Sequence, residues 1–293
     1  MKRYSFGKLH IGLDDCVCKI VDDSFSALFL DENQTRRPDI LMIQKDMDVS
    51  LLERAECLTR TGGYELLRTE AGLFLVNHWG TCRFGYGVFL DDLFRFDEIS
   101  IYINRKLSEQ IPLNISRFLS TVGLHSKLLQ KGMPILHASY IDHAGKAILF
   151  TAPAQTGKST QADLWNKITG AEIINGDRVL LRKDNDVWSA YGYPCCGSSM
   201  ICKNRALPIA AIVVLEQAGE NRVEEMAAAR KIRALISATE IYPWETREFD
   251  EALSVASSVA EEVKMVKLSC RPDADAVNVL KTYIEDSAYA NLD

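Results

Sequence analysis

The chain has 293 residues, 47% of them apolar and 25% charged, with a net charge of −6; this suits one large or two ordinary globular domains with a full core. No apolar run reaches the roughly 18 residues of a spanning helix, and an acidic chain without a Lys/Arg-rich block argues against a nucleic-acid or anionic-membrane partner. The opening MKRYSFGKLHIGLDD breaks its apolar positions with charges and turn residues, which excludes a secretory signal and places the chain in the cytoplasm.

In chain order, the first ~115 residues are rich in β-prone runs. Three of them, at 65–68, 73–78 and 82–88, are separated by Thr-Glu-Ala-Gly and His-Trp-Gly-Thr, as in a meander. Asn114 then caps one helix whose apolar positions Ile115, Phe118, Leu119, Val122 and Leu129 recur at helical spacing, with Gly132 and Pro134 ending it. This helix bridges a strand-rich domain, 1–130, to a second domain, 131–293.

The second domain is denser. Strands are expected at 134–141 and 147–151 around an Asp-His-Ala-Gly-Lys turn, then a helix at 158–168 and a short strand at 172–174. A hairpin at 179–182 and 187–190 turns through Lys-Asp-Asn-Asp, and 209–216 (IAAIVVLE) is the most apolar strand of the chain. Helices at 224–240 and 248–263 follow, with a strand at 264–268. A last helix starts after Pro272, where Asp273 and Asp275 favour its N-terminus. The class is α/β or mixed α+β on a central sheet.

Eight cysteines show no paired Cys-x-x-Cys spacing: Cys16, Cys18, Cys57, Cys82, the pair Cys195-Cys196, Cys202 and Cys270. Reduced, mostly buried thiols are expected, with zinc the lesser alternative.

The stretch with the most chemistry is ILFTAPAQTGKST, an apolar strand that ends in Gly-Lys-Ser-Thr and opens a helix. That is the setting of a phosphate loop, with the first glycine of the usual spacing replaced by Ala152. Backbone N–H groups of Ala154, Gln155, Thr156 and Gly157 and the following helix N-terminus favour an anion. Gly157 lets the main chain approach a phosphate, and Lys158 adds a point charge. Ser159 offers a hydroxyl to Mg²⁺, while Thr160 reaches the α-phosphate side. The nearest acid at a strand end is Asp177, about one helix further on, much sooner than in ordinary phosphate-loop ATPases.

Four blocks in order, LHASYI, ILFTAPAQTGKST, IINGDRVLL and AYGYPCCGSS, resemble the catalytic domain of HPr kinase/phosphorylase. The likeness is closer to the HPr-kinase-like small kinases beside bacterial peptide-modification genes; phosphoenolpyruvate carboxykinase is a more distant relative of that fold. It runs from about residue 134 to the end and covers none of the first domain. The resemblance implies ATP and Mg²⁺ as cofactors, a homo-oligomer, and catalytic roles for His137, Lys158 and Asp177. It also implies Ser159 and Asp177 as metal ligands. Its pattern has two consecutive acids where this chain has Gly176-Asp177, so the first acid is missing. His137 alternatively reads as a core histidine, and Asp177 as a turn residue or a partner of Arg178. The YGYPCCGSS loop with Gly192, Pro194, Gly197 and Ser198, followed by Lys203 and Arg205, suits a lid over phosphates or acceptor.

The expected activity is transfer of the γ-phosphoryl group of ATP to a hydroxyl of a peptide, protein or small compound. The alternative is a non-catalytic ATP sensor that binds a peptide, which the missing acid favours.

Overall fold

The computed structural model describes residues 1–14, 16–17, 19–32, 36–80, 82–108 and 114–289. The chain divides into two compact units, Met1–Lys127 and Leu128–Asp293.

The first unit is built on an eight-stranded sheet. Its strands are β1 (Lys2–Phe6), β2 (Leu9–Leu13), β3 (Ile40–Asp46), β4 (Glu56–Arg60), β5 (Tyr64–Thr69), β6 (Gly72–Trp79), β7 (Cys82–Phe89) and β8 (Glu98–Ile103). They lie in the order β1-β2-β3-β8-β7-β6-β5-β4, parallel only at β2–β3 and β3–β8. The expected meander is the run β5-β6-β7. Alternation explains β8, whose Ile99, Ile101 and Ile103 are buried between more exposed neighbours. The single helix expected after Asn114 is two helices, Ile115–Thr121 and Leu124–Gln130. The chain breaks between them at Gly123, whose φ is +76°; the side chain of Leu93 occupies the space beside it. The apolar positions of both helices are buried all the same.

The second unit is a mixed α/β assembly. In chain order it runs β9 (Ile135–His143), β10 (Lys146–Thr151), α6 (Lys158–Thr169) and β11 (Glu172–Asn175), numbering the helix Lys158–Thr169 after five shorter ones. Next come β12 (Arg178–Asp184), β13 (Val187–Gly192), β14 (Ala206–Gln217), β15 (Arg222–Glu225) and α7 (Ala228–Ala238). It ends with α8 (Thr246–Glu262), β16 (Met265–Cys270) and α9 (Ala274–Tyr289). Strand order is β10-β9-β12-β13-β14-β16-β15, and β10 also pairs with β14 in parallel. Strands β14, β10, β9, β12 and β13 therefore close a ring.

Burial on both faces explains why β10 and β14 read as unbroken apolar runs. Ile148, Phe150, Ala211 and Val213 face one cluster with Trp165 of α6 and Leu280 of α9. Ala147, Leu149 and Ile212 face another with Leu235 of α7 and Val259 of α8. Trp165 has no exposed surface, so truncating it to alanine should cost about 3–5 kcal/mol.

Two further expectations need correction. Residues 224 and 225, expected to open a helix, instead end β15, and the helix starts at Ala228. Alternation along β15 lets Glu224 reach Lys267 across the ladder at 3.5 Å, a pairing an isolated helical reading misses. The thiols are also less buried than expected: Cys16 and Cys57 are exposed, Cys82 and Cys195 half-buried, and Cys196, Cys202 and Cys270 buried; none of these seven forms a disulfide. Cys18 lies outside the described residues. Among the described residues, no helix is long and apolar enough to cross a membrane.

Candidate functional site

Strand register assembles the site. Thr151, the last residue of β10, pairs with Ala138 of β9. On the other side of β9, the N–H of Ala138 donates to the carbonyl of Asp177 at 3.0 Å. Asp177 thus lies two strands from the start of the loop, about 10 Å at ordinary strand spacing. It falls between two ladders on one edge of β9, since β11 pairs with residues 140–142 and β12 with residues 135–137. The intervening turn is held by buried Asn175. Its side-chain oxygen accepts from the N–H groups of Asp177 (2.9 Å) and Arg178 (3.0 Å), and its amide donates to the carbonyls of Tyr193 and Cys195.

The segment from 152 to 157 leaves β10 and enters α6 through Gly157, with φ +115° and no atom within 4 Å of where a Cβ would sit. That conformation favours glycine, and the space beside it is open, so the main chain there is accessible to a ligand. Gln155 is also left-handed, at φ +62°. Ser159 and Thr160 are exposed on the first turn of α6. Lys158 is buried, and its amine donates to the carbonyl oxygens of Ala152 (2.9 Å) and Pro153 (3.4 Å). Burial lowers its pKa from the usual lysine value; the nearby charge of Asp177 opposes this and that of Arg178 adds to it.

Asp177 is the hub of a charged chain. His137 Nε2–H donates to its Oδ1 at 2.9 Å, and Arg178 Nη1 to its Oδ2 at 2.9 Å. Nε of Arg178 donates to Glu240 at 3.1 Å. The His137 hydrogen bond, against the opposing effect of burial, holds the Asp177 carboxyl below its usual range, and the charges of Arg178 and Lys158 assist. Each carboxylate oxygen keeps a lone pair for one more partner. His137 pairs directly with Arg178 across the β9–β12 ladder, which is why both reach the same carboxylate.

The loop after β13 covers this turn. Ile201 and Ile174 carbonyls accept from Gly176 and Lys203 N–H groups, and a Cβ at Gly197 would stand 2.6 Å from the Asp177 carboxyl carbon. Gly197 therefore permits the close approach. A Cβ at Gly176 would collide with the Ser199 side chain, so the missing acid is replaced by loop packing. Pro194 and Gly192 are buried and Ser198 is exposed in this loop.

Lys203 and Arg205 do not serve as expected from the sequence. Both pair with Glu172, at 2.5 and 2.8 Å, and Arg205 also holds Asp142 at 2.6 Å. Asp142 pairs with Ala147, four residues before Thr151, so these cations sit about 13 Å along the strand from the loop. Two acids at the far end of β9 and β11 outcompete the site for them. Sequence reasoning in turn missed Glu240, since nothing links it to Asp177 before α7 folds back and its N–H donates to the Ile135 carbonyl at 2.9 Å.

The residues fit a nucleotide phosphate tail in their chemistry: a glycine at a helix N-terminus, two exposed hydroxyls and a lysine. No group of three or more His, Cys, Asp or Glu gathers as a metal site among the described residues. Mg²⁺ commonly takes one carboxylate with phosphate oxygens and water, and Ser159 with Asp177 supplies a donor set of that chemistry.

No protein-family profile and no curated protein matches the chain. Among solved structures, it is similar to the HPr(Ser) kinase/phosphatase from Coxiella burnetii, at 10% identity and a TM-score of 0.30, over 53% of this chain and 98% of that one. So slight a likeness decides neither fold nor activity.

Proposed function

We propose that the second unit is an ATP-dependent phosphotransferase that moves the γ-phosphoryl group to a hydroxyl. One observation carries the reading: Lys158 opens α6 directly after the left-handed Gly157, with the Asp177 carboxylate near enough for its charge to act on the lysine. The loop amides and helix N-terminus bind the phosphate tail. Lys158 would exchange its two carbonyl acceptors for phosphate oxygens. Mg²⁺, held by Ser159 and Asp177, would neutralise charge on the phosphates when bound. Asp177 orients the acceptor hydroxyl and takes its proton as the oxygen–phosphorus bond forms, while ADP leaves with the electron pair of the broken bond. His137 and Arg178 keep that carboxylate ionised and aimed. Such a site supplies positioning and charge rather than covalent help.

A second reading is a sensor that holds ATP without transferring phosphate. The collision between any side chain at 176 and Ser199 favours it, because only one carboxylate serves the site. Mass spectrometry of candidate peptide and small-molecule hydroxyl acceptors incubated with Mg-ATP separates the two. The kinase reading expects an acceptor carrying one added phosphate with the wild type and none with Asp177→Asn. Tight ATP binding with no modified acceptor in either sample supports the sensor.

A further inference from the structure

A cleft of about 620 Å³ opens on the second unit against the outer side of the phosphate loop. Residues 153–156 form one wall, residues 214–217 at the end of β14 another, and Met226, Arg230, Arg233 and Ala234 a third, with Lys267 beside them. Arg230 and Arg233 are three apart on α7, so they share a face, and both are exposed.

Their lack of carboxylate partners sets them apart. Of the eight arginines in this unit, Arg178, Arg182, Arg205, Arg222, Arg247 and Arg271 each pair with an acid. Among the described residues, Arg230 and Arg233 do not, and both line this cleft. Glu216, the one acid in the lining, is already engaged by Lys267. Lys267 is shared by Glu216 and Glu224, so the uncompensated positive charge of the cleft rests on Arg230 and Arg233, in a chain of net charge −6. Val214, Leu215, Met226 and Ala234 supply apolar surface beside the guanidiniums.

The cleft is not the cradle for a nucleotide tail. The Gln217 side-chain amide, which lines the cleft, donates to the carbonyls of Gln155 (3.3 Å) and Thr156 (3.4 Å). In trans peptide units the N–H points opposite to the C=O. The amide of Gly157 therefore faces away from the cleft, and that of Thr156 turns back into the loop, where it donates to the Pro153 carbonyl at 3.4 Å. An anion on Arg230 and Arg233 is a second anion.

We propose that this cleft docks an acidic peptide segment, its carboxylates on Arg230 and Arg233 and its apolar atoms on Met226 and Ala234. A cavity of this size takes a ligand of many atoms rather than a lone carboxylic acid. Neither Asp177 nor His137 lines it, so a small hydroxy acid seated here would leave its hydroxyl away from them. An extended chain, at about 3.3 Å per residue, docks here and presents a hydroxyl several residues away. The docking follows from the cleft alone; naming the peptide as the phosphoryl acceptor rests on the phosphotransferase reading.

The test uses the full chain without nucleotide and two fluorescein-labelled peptides of equal length. One carries a serine among Asp and Glu; its twin carries Asn and Gln at those positions. Anisotropy at low salt is expected to show the acidic peptide binding about tenfold more tightly than its twin. That preference should fall to about twofold in the double variant Arg230→Ala/Arg233→Ala and persist in Arg247→Ala, with ADP affinity, read by calorimetry, unchanged from wild type in both. No preference in the wild type, a preference that survives the double substitution, or displacement of the peptide by equimolar citrate overturns the docking. Loss of ADP affinity in the double variant assigns the cleft to the nucleotide and also overturns it. A wild type that binds no ADP but keeps an arginine-dependent acidic preference refutes the phosphotransferase reading and leaves the docking standing.

Discussion

Each unit holds a carboxylate set among cations, and the two differ in burial and in how fully they are paired. In the first unit, Glu65 accepts from Arg83 at 2.6 Å through both oxygens, from Arg60 at 3.0 Å and lies 3.2 Å from His78. Its side chain is 1% exposed. In the second unit, Asp177 meets His137 and Arg178, but its side chain is 23% exposed. Glu65 is saturated and sealed, as a structural ion-pair network is. Asp177 is oriented yet partly exposed and less fully paired, as the phosphotransferase reading requires. A lowered carboxyl pKa is common to both and does not by itself distinguish function from architecture.

The sharpest way to break this comparison is to replace each acid by its amide. Asp177→Asn should lower phosphoryl transfer by about 10²–10⁴-fold while leaving the thermal midpoint nearly unchanged. Glu65→Gln should do the reverse, costing about 1–3 kcal/mol in urea unfolding and leaving ATP affinity untouched. Equal stability losses in the two variants would erase the distinction.

Next in size is Gly176→Asp, which restores the acid the site lacks. It should destabilise the protein by about 1–3 kcal/mol because its Cβ meets Ser199. Adding Ser199→Gly should recover most of that loss in the same unfolding assay. A stable single variant would show that the loop yields and that packing does not explain the glycine.

A smaller effect is expected with pH. The Arg83 hydrogen bonds, against burial and with help from Arg60, hold Glu65 at about 2, below its ordinary 4.5. A depressed carboxyl stabilises the fold fully above the ordinary value, and the contribution is lost as pH falls from about 4.5 toward 2. Urea midpoints between those limits should therefore fall more steeply for wild type than for Glu65→Gln. Parallel slopes would mean that Glu65 is not held low in the folded protein.

Much of this was legible from residue order. Left-handed Ala144-Gly145 and Asn185-Asp186 sit at the turns of the two hairpins read from turn chemistry. The two-faced burial of β10 and β14 follows from their apolar runs, and the loop geometry at Gly157 from Gly-Lys-Ser following a strand. What sequence could not give was set by register and by competition between charges. Asp177 reaches the site because β11 and β12 share one edge of β9. Lys203 and Arg205 leave it because Glu172 and Asp142 lie nearer. Glu240 joins only after α7 folds back, and β15 becomes a strand through Lys267. Each of these depends on partners distant in the chain, which local periodicity does not encode.

Calorimetric titration of Mg-ATP into the wild type and Lys158→Ala tests the central claim most directly. The account predicts saturable one-to-one binding by the wild type and a loss of about hundredfold or more in affinity in the variant, with folding retained. Equal affinity in the two proteins, or no binding by the folded wild type, would contradict it.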